Sequence, residues 1–164
     1  MKVTTDGCFF GASIRPEETG RILDIGTGTG LLALMLVQKS GASIDAIEIN
    51  KDAYQQAKVN FEASDWKNRL RIFHTSLQEF QPKDLYDQIV CNPPFFVNSN
   101  QGNSANKNQA LHATTLSMKD LAEHAARLMK ENAEVWIMYP KAEMEQFVQW
   151  AEQFGLYPAT LITL

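Results

Sequence analysis

The chain has 164 residues, 45% of them apolar, enough for one domain with a real core and too few for two. A net charge of -4 shows no strongly basic face, so non-specific nucleic-acid binding through bulk charge is not indicated. The two cysteines, Cys8 and Cys91, lack CxxC spacing; they give no disulfide or zinc framework and fit a reduced cytoplasm. The opening MKVTTDG has no apolar stretch of signal-peptide kind, and the longest apolar run, residues 31–37, is too short to span a membrane.

In chain order, Arg21–Ile25 reads as a strand and Leu31–Lys39 as a helix closed by Gly41. Ser43–Glu48 reads as a second strand. Asn50 suits the N-cap of a helix carrying Tyr54, Ala57 and Phe61 at helical spacing. Leu70–His74 and Tyr86–Cys91 are the third and fourth strands. Residues 98–109, rich in Asn, Ser and Gly, read as a loop. Ser117 with Asp120 then opens a helix in a capping-box arrangement, with Leu121, Ala125, Leu128 and Met129 on its apolar face. Residues 133–139 read as a fifth strand, 141–154 as a helix and 156–164 as a last strand. Such alternation predicts an α/β fold, a doubly wound and mostly parallel sheet with helices on both faces. No repeat or linker divides the chain, so 1–164 is expected to be a single domain. No element precedes Thr4, and the chain stops inside a strand-like run. The expectation is a fragment of a longer protein, truncated at both ends.

Two stretches carry chemistry. In LDIGTGTG, residues 23–30, Gly26, Gly28 and Gly30 let a ligand approach the main chain, and the next helix points its positive end at the turn. The spacing is GxGxG, not the GxGxxG of dinucleotide-binding enzymes, which disfavours an NAD oxidoreductase. Glu48 ends the second strand, where a carboxylate can accept hydrogen bonds from both ribose hydroxyls. The second stretch is IVCNPPFF, residues 89–96, in which a strand ends in two prolines followed by aromatic rings.

Together Asp24, Gly26, Gly28, Gly30, Glu48 and Asn92-Pro93-Pro94-Phe95 resemble the class I methyltransferases that use S-adenosylmethionine. The Asn-Pro-Pro-aromatic signature is similar to that of the subgroup methylating planar nitrogens: a base amine or a glutamine amide. KVTTDGCFFGA at 2–12, FHTSLQEF at 73–80 and the stretch from Leu111 through His112 to Met129 resemble the bacterial tRNA adenine-N6 methyltransferases. Leu111 departs from the arginine expected before His112. The resemblance implies a Rossmann-like fold, S-adenosylmethionine as cofactor and a valine tRNA as substrate. It assigns the cofactor to Asp24, Gly26, Thr27, Gly28, Gly30, Glu48, Ile49, Ser76, Leu77, Asn92 and Thr5. Leu77 would be a wall for the cofactor's adenine, and Ser76 and Gln78 would stand where a carboxylate is usual. Thr5, Asp6 and Gly11 would lie near the cofactor's methionine end, or else form a surface turn.

The resemblance implies that catalysis falls to Asn92, Pro93, Pro94 and Phe95. The lone pair of an exocyclic amine is delocalised into the ring. Two acceptors, the Asn92 side-chain oxygen and the Pro93 carbonyl, would draw it out of conjugation. Pro93 and Pro94 would stiffen the backbone between them, and Phe95 is expected to stack on the base. Phe96, His74, His112 and His124 read as packing, structural or exposed. Lys67, Arg69 and Arg71 read as a solvated face. Residues 98–109, with Lys107, border the site and are candidates to hold RNA. No His, Asp, Glu and Cys cluster has metal-ligand spacing, so no metal is expected. A glutamine N5 methyltransferase acting on release factors and a non-catalytic cofactor-binding module are the alternatives.

Overall fold

The computed structural model describes residues 4–93 and 116–163. Its strands are β1 (Arg21–Ile25), β2 (Ser43–Glu48), β3 (Leu70–His74), β4 (Tyr86–Cys91) and β5 (Met129–Ile137). Its α-helices are α1 (Thr5–Ser13), α2 (Leu31–Lys39), α3 (Lys51–Glu62), α4 (Met118–Leu128) and α5 (Lys141–Gln153). The sheet order is β3-β2-β1-β4-β5, and every pairing is parallel. From β1 the chain winds outward to β3, then returns to the other side of β1 for β4. The expected doubly wound sheet is present.

The central strands are apolar because both their faces are covered. Ile22, Ile44, Ala46 and Val90 pack under Phe10, Leu32, Leu36 and Phe61 from α1, α2 and α3. Leu23, Ile25, Ile47 and Ile89 pack under Leu121, Ala125 and Phe147 from α4 and α5. Each fully buried Leu, Ile or Phe contributes roughly 1.5–3 kcal/mol. Two helix starts follow the expected chemistry. Asn50 Oδ1 accepts from the Ala53 N–H at 3.0 Å, and Ser117 Oγ accepts from the Asp120 N–H at 3.0 Å.

A buried carboxylate ties the sheet together. Asp45 is 2% exposed in the middle of β2. It accepts from Arg21 Nη2 of β1, Arg71 Nε of β3 and Tyr86 Oη of β4, each at 2.7 Å. Four adjacent strands are thereby clasped at one point. Burial, then the hydrogen bond to Asp45, push the Tyr86 phenol pKa up and keep it a donor. Arg69 points its guanidinium at the carbonyls of Val37, Ser40 and Ala42, within 2.7–2.9 Å, and so satisfies the end of α2. Arg69 and Arg71 are structural ties rather than the solvated face expected of them.

Other expectations shift. Thr5–Ser13 is a helix, not a turn: Thr4 caps it by accepting from the Gly7 N–H at 3.2 Å. Gly41 is not a left-handed helix stop. A Cβ there would lie 3.0 Å from the Glu18 carbonyl oxygen, so the close chain is what requires glycine. β5 starts at Met129 rather than 133, because Met129 pairs with Tyr86 before the register shifts through Asn132 at φ 62°. Residues 156–163 form no strand. They pair with no strand among the described residues, and Tyr157 and Leu161 are 74% and 71% exposed. Pro94, Phe95, Phe96, the polar loop 98–109 with Lys107, Leu111 and His112 lie outside the described residues.

Candidate active site

Three strand ends meet at one place. Ile25 of β1 is in register with Ile47 of β2 on one side and Cys91 of β4 on the other. Gly26, Glu48 and Asn92 each come one position after that row, Gly26 and Asn92 just past the ends of β1 and β4. At about 4.8 Å between strands, that row spans on the order of 10 Å. It lies beside the β1/β4 gap, where the winding direction reverses and open α/β sheets hold their ligands.

The turn after β1 is held by its own backbone. The N–H groups of Gly26 and Thr27 both donate to the Ile47 carbonyl, at 3.0 and 3.1 Å. Gly26, Gly28 and Gly30 all have positive φ, at 66°, 60° and 85°. They differ in surroundings. A Cβ on Gly30 would lie 2.5 Å from Cε1 of Phe61, whereas a Cβ on Gly26 would meet nothing within 4 Å. Gly30 is thus a packing glycine as well as a turn glycine, and Gly26 leaves the main chain open to a ligand. Gly30 is also the N-cap of α2 and supplies no side-chain hydrogen bond. The positive end of α2 therefore faces the turn without a side-chain cap from that residue.

The acids are fixed differently. Glu48 is 7% exposed; its two oxygens accept from the N–H groups of Gly28 and Asn50, each at 2.8 Å. A carboxylate has about four acceptor sites, so about two remain. Asp24 is fully buried and accepts from Thr27 Oγ1 at 2.5 Å, while its other oxygen has no hydrogen-bond partner among the described residues. Burial pushes its pKa up to about 7, and the nearby Glu48 charge adds to the rise; the hydrogen bond from Thr27 opposes it. Cys91 is buried, and burial and then Asp24 push its thiol well up. It stays a thiol, which is not the nucleophilic form.

Asn92 follows Cys91. Its Oδ1 is buried and has no hydrogen-bond partner among the described residues. An unsatisfied buried acceptor costs roughly 1–3 kcal/mol and calls for an explanation. Pro93 beside it is buried. α1 closes the other side: a Cβ on Gly7 would lie 3.6 Å from Asn92 Nδ2. Thr5 is the exposed first residue of that helix.

Ile49 is 50% exposed next to Glu48, and its carbonyl lies 3.0 Å from His74 Nε2. The His74 ring stacks on Tyr54 at 5.1 Å. Ser76 Oγ donates to Glu79 Oε2 and accepts from the Glu79 N–H, which closes the turn after β3. Leu77 is 4% exposed within the apolar core. The register thus brings Gly26, Glu48 and Asn92 together. Ser76 and Leu77 follow β3, two strands from β1 in the sheet. Neither the nearness of Gly7 to the Asn92 amide nor the His74 tie to the turn after β2 carries a signal in the sequence.

The geometry suits a nucleoside with an anionic tail: an open glycine turn at a helix start, a carboxylate with spare acceptor sites and an unmet amide acceptor. Among the described residues, no group of three or more His, Cys, Asp or Glu could hold a metal ion. No helix among them is long and apolar enough to cross a membrane.

Comparison with known proteins agrees. The sequence pattern of the methyltransferase small domain family matches residues 9–156. A tRNA1(Val) (adenine(37)-N6)-methyltransferase of Flavobacterium psychrophilum is 45% identical over 96% of this chain and 69% of its own length. One of the same name from Cytophaga hutchinsonii is 46% identical over 95% of this chain and 67% of its own. Among solved structures, a putative methyltransferase from Thermoplasma acidophilum superposes with a TM-score of 0.65 at 16% identity. The match covers 92% of this chain and 57% of that one.

Proposed function

This chain belongs to the methyltransferase small domain family, and we propose that it methylates the exocyclic N6 of an adenosine in a valine tRNA. The carrying observation is the buried Oδ1 of Asn92, unpartnered among the described residues and one position past the paired ends of β1, β2 and β4, as Gly26 and Glu48 are. The names of relatives 45% and 46% identical to the chain support the substrate.

S-adenosylmethionine supplies an electrophilic methyl group when bound. Glu48 would hold its ribose hydroxyls with the spare acceptor sites, and the open face of Gly26 would take its tail, with Thr27, Gly28 and Gly30 shaping the turn. The positive end of α2 would suit the tail's carboxylate. Asp24 fixes the turn through Thr27. Ile49, Ser76 and Leu77 would border the adenine side, and Thr5 the tail side.

Asn92 Oδ1 accepts one N–H of the target amine, which answers its unmet acceptor. The Pro93 carbonyl accepts the other. With both hydrogens held, the nitrogen lone pair leaves conjugation and becomes nucleophilic. Pro94 and Phe95 lie outside the described residues; their assigned tasks are to stiffen the backbone beside the acceptors and to stack on the base, a contact worth roughly 1–3 kcal/mol. This is catalysis by position and preorganised hydrogen bonding. No side-chain base is required, because the amine proton becomes acidic once the nitrogen is alkylated and passes to water. The adenosine leaves its stack to enter the site.

The test is incubation of the chain with methyl-labelled S-adenosylmethionine and, in parallel, tRNA lacking the modification or a peptide-release factor, followed by mass spectrometry of nucleosides and of peptides. Label is expected in N6-methyladenosine from valine tRNA. Label in a release-factor glutamine, with none in tRNA, contradicts the proposal.

A further inference from the structure

We infer that Gly7 is a positioning residue for Asn92: its missing side chain leaves the space in which the Asn92 amide is seated. The inference rests on the amine-acceptor role of Asn92. Gly7 has no positive φ, so turn geometry does not demand glycine there. It lies inside α1, where glycine is a poor helix former. Space explains it. A Cβ at this position would lie 3.2 Å from Thr4 Oγ1, 3.6 Å from Asn92 Nδ2 and 3.8 Å from Leu31 Cδ2. A methyl group there already crowds Thr4 Oγ1 and makes ordinary contact with the other two, so a longer side chain has to push among the three. Leu31 is the first residue of α2, and Thr4 Oγ1 holds the N-cap bond to the Gly7 N–H itself. Asn92 lies just beyond the end of β4, outside its ladder.

Gly11, one turn further along α1, provides the contrast. A Cβ there would lie 2.6 Å from Met35 Sδ and 3.1 Å from Leu32 Cδ2, so it is a glycine of helix packing alone. The same face of one short helix therefore docks on α2 through Gly11 and walls the Asn92 amide through Gly7. The two Asn92 amide atoms then have separate tasks. Nδ2 is the Asn92 atom nearest the space at Gly7, and Oδ1 has no hydrogen-bond partner among the described residues.

The experiment compares Gly7→Ala, Gly7→Leu, Gly11→Ala and Asn92→Ala. The Asn92 side-chain amide signal is assigned in an ¹⁵N correlation spectrum by its loss in Asn92→Ala. Gly7→Ala should shift that signal; Gly11→Ala should lower Tm and leave it in place. Gly7→Leu should cut kcat about 100-fold, the scale of an ångström of misplacement. Its KM for tRNA and Kd for S-adenosylhomocysteine should stay within about twofold, a split that general loosening would not give. An unmoved Asn92 signal in Gly7→Ala overturns the inference, whether or not Gly7→Leu folds. Wild-type kcat in folded Gly7→Leu beside a dead Asn92→Ala also overturns it, while leaving the acceptor role intact. Wild-type turnover in Asn92→Ala removes the acceptor role and the inference together.

Discussion

Glu48 and Asp24 are both buried carboxylates at strand ends, yet their surroundings separate their tasks. Glu48 has both oxygens bonded to backbone N–H groups and acceptor sites to spare. Glu48→Gln turns one acceptor into an NH₂ that must face a donor N–H. Cofactor Kd should rise at least tenfold by calorimetry, about 1.4 kcal/mol; an unchanged Kd removes Glu48 from the ribose site. Asp24 is the opposite case, a carboxyl whose pKa burial raises to about 7 from 3.8. Between those values the unfolded chain has released a proton that the folded chain keeps. Its contribution is therefore fully present below about pH 4 and is lost as pH rises toward 7, at about 1.4 kcal/mol per unit. Asp24→Asn removes this slope. The difference in urea unfolding free energy, variant minus wild type, should grow from pH 4 to 7, and parallel curves would show that Asp24 is ionised throughout.

At the scale of elements, the β1–α2 turn contains glycines with different reasons for being glycine. Gly30→Ala combines positive φ with a clash at Phe61. It should cost several kcal/mol of stability, more than the roughly 1–2 kcal/mol of left-handed backbone alone. Gly26→Ala carries only the backbone cost, but places a methyl where the turn is open, so cofactor affinity should fall more than stability. Thermal unfolding and calorimetry on both variants would check the contrast; equal Tm losses would contradict it. The same elements show what was legible. β1 to β4 and α2 were readable to the residue, because apolar runs between Gly, Asn and Pro signals leave few alternatives. α1 was not, since its buried positions include Gly7 and Gly11, which carry no hydrophobic signal. The polar pairs across strands were equally hidden: Arg69 and Arg71 look like surface charge until β2 and the end of α2 are beside them.

For the whole molecule, the sheet order turns distant segments into one site. Gly26, Glu48 and Asn92 are far apart in sequence, and each follows one of the paired residues Ile25, Ile47 and Cys91. That grouping was guessable from strand ends, but its neighbour in α1 was not. The clasp on Asp45 joins β1, β2, β3 and β4. Asp45→Ala leaves Arg21 and Tyr86 without their shared acceptor. Because Arg71 is 59% exposed, the loss should sit near the lower end of the roughly 3–5 kcal/mol typical of a broken buried pair. Tm should then fall by on the order of 10 °C; an unchanged Tm would mean that the clasp adds no net stability. The most direct test of the whole account is single-turnover methylation of valine tRNA by wild type and Asn92→Ala, with cofactor Kd measured on the same samples. The account predicts a rate lowered about 10²–10³-fold at an unchanged Kd. Near wild-type methylation by Asn92→Ala would contradict it.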